Sequence, residues 1–376
     1  MSIPDEYLIL DTRSKEHFKV QTYSNYLKKD VISVFQKKIL EGEIEQTCYW
    51  AVELILSLAI DTLIDKILMV AIKYVNTACP QIPFYIWSKI EFFMDNLKRP
   101  EELRNNQVFR NHIVEICVIL CGSSKGKALG LDSQIKKNLD FTNITKHLEA
   151  TRNYLESVKR ADDPEDLSIF MNELGHSMTN KNFDKAIMWL TYIIHFDKIV
   201  KKSKNVLVAS MRNHGKDGTH IIWYVWELII TLSRSQLSKD SMKQVKSLYY
   251  IQKKRGWKSS EIYLVIAAIK FNTHICNFKT PLFSHFSVQA ASRVNFLFLE
   301  AKQFENNKID ITKHITNVSF KRDKKKPVKA NDKKKLQEKI DRKLQQTQMI
   351  DTIIQKKSTP TTRTISNLID IQKRII

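Results

Sequence analysis

What the chain has little of narrows it first. Glycine and proline are scarce, at 8 each in 376 residues, well under the roughly 7% and 5% of an average chain. That argues against Gly-rich nucleotide loops and many-turned β-sandwiches, whose turns need those residues. The five cysteines (Cys48, Cys79, Cys117, Cys121, Cys276) are odd in number and scattered. Cys117 and Cys121 stand four apart on a helical pattern, which is not a zinc-ribbon spacing. Buried free thiols in a reducing compartment follow, with neither metal nor cofactor expected. No uncharged apolar run reaches the roughly 18 residues of a membrane span. The longest candidate, 49–75, carries Glu53, Asp61, Asp65, Lys66 and Lys73. It reads as core-facing helices, and no membrane partner is expected. The N-terminus has an early acidic pair, Asp5 and Glu6, and no basic-then-apolar leader pattern. The expected location is intracellular, cytoplasmic or nuclear.

Catalytic signatures are also missing. There is no H-E-x-x-H, no G-x-S-x-G and no paired-carboxylate pattern. Gly122-Ser-Ser-Lys-Gly-Lys127 follows an apolar run and invites a phosphate-loop reading. The motif needs Gly at 121 and Ser or Thr at 128, where this chain has Cys121 and Ala128. A basic turn that touches phosphate is the better expectation there. His214 and His220, with Asp217 between them, share a polar loop with two glycines. It reads as an anion or metal loop or as plain surface. The chain is expected to be non-enzymatic.

Acidic residues are in deficit, 40 against 61 Lys and Arg, a net charge of +21. Half of that excess lies in 316–376, where 17 basic residues meet 6 acidic ones. The densest block holds Lys321, Arg322, Lys324, Lys325, Lys326, Lys333, Lys334 and Lys335. Such a block repels itself and has little apolar surface to bury, so a flexible tail is expected. Lys and Arg displace counterions from phosphates, which makes the tail a candidate nucleic-acid arm. A nuclear-localisation signal or a solubilising tail would use the same residues. A second basic segment, 234–258, sets eight basic residues against Asp240 alone. Lys239, Lys243 and Lys246 fall on one helical face, and Met242, Val245 and Leu248 on another. Lys253, Lys254 and Arg255 precede Gly256, a natural helix stop, and Trp257. A basic face beside an exposed aromatic is suited to hold a phosphate backbone and stack on a base; Trp257 in the core is the alternative.

What is abundant is apolar residues, 43%, at helical spacing. The expected fold is all-α, with two multi-helix halves. The boundaries read as an irregular N-terminal arm at 1–27, helical domains at 28–161 and 162–315, and the tail at 316–376. The Asp162-Asp163-Pro164 break marks the middle boundary. Helices are expected at 139–161 and 199–211, among others. Trp50, Trp87, Trp189, Trp223 and Trp226 read as core or packing ridges. A faint internal repeat sets Glu45 five residues before Trp50 and Asp184 five before Trp189. A second echo pairs the segment from Val52 with that from Trp226.

The Cys-Tyr-Trp-Ala-Val-Glu-Leu run from Cys48 and the Ala-Ile-Met-Trp-Leu run from Ala186 resemble the helical C-terminal collar of clamp-loader-type AAA+ proteins. That resemblance implies oligomerisation and work at replication forks. The chain has no ATPase domain, intact phosphate loop or Walker B pattern, so the implied role is a collar or adaptor without ATPase activity. The Lys/Ile/Asn-rich composition and the segment from Phe18 are similar to lineage-specific proteins of large AT-rich DNA viruses, which implies a host cell or virus factory as the setting. The expected function is nucleic-acid binding in replication, transcription or genome packaging. DNA is favoured over RNA, with a protein partner or homo-oligomer besides. The alternative is a helical scaffold or virion component whose tail only neutralises acidic partners.

Overall fold

The structure is a computed structural model that describes residues 3–131, 144–202, 206–212, 218–234, 236–256, 261–276 and 293–303. Among these the fold is all-α, with no sheet beyond two isolated bridges. The tail at 316–376 and the loop residues His214 and Asp217 lie outside the described residues. The described chain forms two compact units that alternate in sequence. One takes 3–129, 244–256, 261–267, 275–276 and 293–303, and the other takes 130–131, 144–202, 206–212, 218–234, 236–243 and 268–274. This is not a division at 161. Asp163 is buried, with Tyr154, Leu155 and Val158 just before it, so the polar break belongs to the core of the second unit rather than to a linker.

The first unit is built on helices α1 (Lys28–Glu41), α2 (Ile44–Leu56), α3 (Ile60–Val70), α4 (Ile82–Ile90), α5 (Pro100–Arg104) and α6 (Gln107–Gly122). Helix α2 is buried on every side from Thr47 to Leu56, and α1, α3 and α6 pack against it. That is the placement expected of a helix with apolar residues all round. The residues read as an N-terminal arm are irregular but built into this core. Ile9, Phe18, Tyr23 and Tyr26 are buried. Asn105 pairs with both backbone groups of Ile9 at 3.0 Å, and Arg110 donates to Tyr7 O. Arg110 is fully buried with only neutral acceptors, and burial together with Arg104 pushes its pKa down to about 10. The Ser24 N–H and hydroxyl hold the buried Glu53 carboxylate at 2.8 and 2.9 Å.

The second unit centres on α7 (Ser168–Thr179), α8 (Phe183–Lys202) and α9 (Ile221–Thr231). Trp189, Trp223 and Trp226 are buried here and Trp50 in the first unit; Trp87 is half-buried. Phe170 stacks on Trp189 and Tyr192. Gly175 is required by close packing, because a Cβ there would lie 2.8 Å from the Tyr154 side chain.

Two expected helices are replaced. Residues 148–163 form no helix, because side chains of α7 take their backbone N–H groups. Glu173 accepts from Glu149 and Ala150, and Asn172 from Tyr154. Helix α8 ends at Lys202, and 206–212 pairs with the residues before α9, with Val208 bridged to His220 and Ala209 N donating to Thr219 O. Leu207 and Ala209 are buried while Val206 and Val208 face out, the period-two pattern of a strand.

The echo around the two tryptophans has a geometric counterpart. Gly42 and Lys181 both sit in the left-handed region, at φ 78° and 58°. Gly42 N donates to Ile39 O and Glu43 N to Lys38 O; Lys181 N donates to Met178 O and Asn182 N to Ser177 O. Each hairpin turn thus closes with the same bonds in the same register relative to its tryptophan. The second echo is not part of this. Leu58 ends α2 with φ 53°, whereas α9 ends at Leu232 with φ −82°.

Candidate nucleic-acid interface

The basic segment forms one helix, α10 (Gln236–Arg255). Met242, Val245, Leu248 and Tyr249 are buried along one side, the apolar stripe that fixes which face turns outward. Gly256, at φ 72°, ends the helix, and its N–H bonds to Lys253 O. On the other side Lys243 and Lys254 are exposed, and Lys239, Lys246 and Lys253 are half-exposed. Lys246, Lys253 and Lys254 lie in the part of the helix that belongs to the first unit, and Lys239 and Lys243 in the part that belongs to the second. Asp240 reaches Lys243 at 3.4 Å with both side chains more than half exposed, a pairing that barely offsets the local positive charge. Trp257, the side chain of Arg255, and Lys321, Arg322, Lys324, Lys325, Lys326, Lys333, Lys334 and Lys335 lie outside the described residues.

Among the described residues the exposed aromatic of this face is Tyr250, 39% exposed, where the sequence points to Trp257. Its neighbour Tyr249 is buried, its hydroxyl donating to Glu261 of α11 (Glu261–Thr273) at 2.9 Å. Consecutive helix residues lie about 100° apart, so one tyrosine is core and the other surface. The signal was present in the spacing, since Tyr250 stands four residues from both Lys246 and Lys254.

The phosphate-loop look-alike is corrected. Lys125 turns inward and donates to the carbonyls of Leu120 at 2.7 Å and Cys121 at 3.1 Å. It caps the C-terminal, negative end of α6, whereas a phosphate loop presents the positive end of a helix. Burial pushes its pKa down. Gly126 N bonds to Tyr74 O and Leu129 N to Lys73 O, in the π-helical continuation of α3 at Ala71–Val75. Lys125 is thus engaged by the end of α6, while Lys127 of the same turn is exposed.

His220 is the N-cap of α9, its Nδ1 accepting from Ile222 N at 3.2 Å. Its Nε2 lies 3.0 Å from Lys201 Nζ, which is bound in turn to Asp197 at 2.6 Å. Arg212 is buried and pairs with the buried Asp163 and with Glu227. It also donates to Val158 O and Ser210 O and lies 4.2 Å from the Tyr224 ring. Every one of its donors meets an acceptor inside the unit, so this cluster holds the fold together. Cys48, Cys117 and Cys121 are buried near one another, and the Cys48 contact together with burial pushes the Cys117 thiol well up. Among the described residues no group of three or more His, Cys, Asp or Glu could hold a metal ion. Among them, too, no helix is long and apolar enough to cross a membrane. No protein-family model, curated protein or solved structure matches this chain.

Proposed function

We propose that the chain is a non-enzymatic helical protein that binds nucleic acid. The outward side of α10 and the basic run at 321–335 are its two contact regions. The observation that carries this reading is the segregation on α10, where a buried apolar stripe runs along one side and the lysines, exposed or half-exposed, lie along the other. Phosphate contacts by Lys supply affinity without sequence information. The settings that fit are replication, transcription or genome packaging, with DNA favoured over RNA. Within replication, a collar-like adaptor without ATPase activity is the role proposed.

Two measurements test it. A binding titration with mixed-sequence nucleic acid should lose roughly 10³ to 10⁵ in affinity between 50 and 200 mM salt if about six to ten phosphates are contacted; a flat salt response would refute the reading. Deleting 316–376 and reversing Lys239, Lys243, Lys246 and Lys254 to Glu should each weaken binding.

A second reading, a protein-binding scaffold, draws on Phe92 and Leu10, which are 82% and 78% exposed in the first unit. Large apolar side chains at that exposure suit a protein contact. A scaffold should keep its protein partner after the tail is deleted, while nucleic-acid binding should collapse.

A further inference from the structure

On a helix surface the neighbours of a residue are those three and four positions away. For Tyr250 these are Lys246, Ser247, Lys253 and Lys254. Three of the four are lysines, the fourth is a serine, and none is a carboxylate. Ser247 and Lys254 are exposed, and Lys246 and Lys253 are half-exposed. All five belong to the first unit. Lys246 and Lys254 are separated by eight residues, or about 12 Å of helix, so a lysine stands one turn before Tyr250 and another one turn after it. An aromatic side chain has only two χ angles, and Tyr250 has part of its surface buried, so holding the ring in place costs little entropy.

We infer that Tyr250 is a base-stacking residue, and that the ligand of this helix face is therefore single-stranded nucleic acid. The inference rests on the nucleic-acid reading and sharpens it. In a duplex the base faces are covered by their neighbours, and a surface tyrosine can offer only its hydroxyl to a phosphate. In a single strand an unpaired base is available to lie on the ring, while the phosphates on either side meet the lysines. Stacking of this kind tolerates any base, because every base has a π-face.

The test uses the full chain and two labelled probes, an oligothymidylate of about 20 nucleotides, longer than typical single-strand sites of about 4–16, and a duplex of the same length. Tyr250→Ala should weaken oligothymidylate binding by about 5- to 150-fold and leave duplex binding within about twofold. Tyr250→Phe should bind like the unaltered chain, because it keeps the ring face. Tyr250→Leu covers the case in which the alanine variant does not fold; it keeps apolar bulk without a π-face and should lose binding as alanine does.

Three results would overturn the inference. If Tyr250→Ala and Tyr250→Leu bind oligothymidylate normally while Lys246→Glu with Lys254→Glu does not, stacking is refuted and the nucleic-acid reading stands. If Tyr250→Phe loses as much as alanine on both probes, the hydroxyl is the contact and a phosphate role replaces stacking. If neither the tyrosine nor the lysine variants change binding to either probe, the reading of this helix face fails as well.

Discussion

At the scale of single residues, the largest expected losses come from breaking buried polar pairs whose partners come from distant parts of the sequence. Arg212 is the clearest. Its side chain and that of Asp163 are almost wholly buried, and breaking one side of such a pair leaves an uncompensated charge. Arg212→Met should cost about 3–5 kcal/mol, read as a shift in the urea midpoint at neutral pH. Arg212→Lys should recover little, because one ammonium cannot replace a fork that reaches Asp163, Glu227 and two carbonyls. Burial alone would raise the Asp163 carboxyl, but the bonds from Arg212 and from the Arg160 and Ser210 amides bring it below its ordinary 3.8. Its contribution is therefore present above that value and lost as pH falls through the folded one. Glu53 carries the opposite sign. Burial pushes its carboxyl above the ordinary 4.5 despite the bonds from the Ser24 amide and hydroxyl. In the folded state it keeps its proton where the unfolded chain has released it, so stability is full below 4.5 and falls as pH rises through the folded value. Unfolding curves of the unaltered chain and Glu53→Gln should diverge as pH rises from 4.5, with Gln the more stable at neutral pH. Parallel curves would show that Glu53 titrates normally.

At the scale of elements, the two hairpins offer a matched pair. The α1–α2 turn uses glycine at its left-handed position, and the α7–α8 turn uses Lys181. A side chain there costs about 1–2 kcal/mol. Gly42→Ala should destabilise by about that much, and Lys181→Gly should stabilise by up to the same amount. If Lys181→Gly destabilises, the two turns are not equivalent and the internal echo is a coincidence. Lys125 is the other element-scale test. Lys125→Met removes the cation from the carboxyl end of α6 and should cost about 1–3 kcal/mol, with no change in phosphate affinity. The same scale explains two expectations that failed. Residues 148–163 and 206–212 have patterns compatible with helix. The first is held open by Glu173 and Asn172, and the second by pairing with the residues before α9. Both are tertiary effects that local propensity does not contain.

At the scale of the molecule, the arrangement differs from a simple succession of domains. The chain leaves the first unit after 129, builds most of the second, and returns at 244. Contacts that close such long loops make cooperative unfolding within each unit the expectation. The net charge of +21 also acts at this scale. Affinity for nucleic acid should fall with salt in proportion to the phosphates neutralised, with a slope of roughly −0.9 per contact on duplex and −0.7 on single strand. The slope measured on the two probes therefore counts the contacts independently of any variant. Loss of the tail should make it markedly shallower, whereas Tyr250→Ala should lower affinity and leave it unchanged.

The sequence by itself determined the fold class, the burial of four of the five helix tryptophans and of four of the five cysteines, the end of α10 at Gly256, and the two faces of that helix. These follow from periodicity, from the lack of glycine and proline, and from the left-handed backbone that glycine permits, all of which are local. Tertiary structure alone decided that residues 3–27 belong to a core, that Asp163 is a buried anchor rather than a linker, and that Lys125 faces a helix end rather than solvent. It also decided which of Tyr249 and Tyr250 looks outward. Each of these depends on which acceptor or apolar surface the rest of the fold brings within reach, and the spacing along the chain carries no record of that.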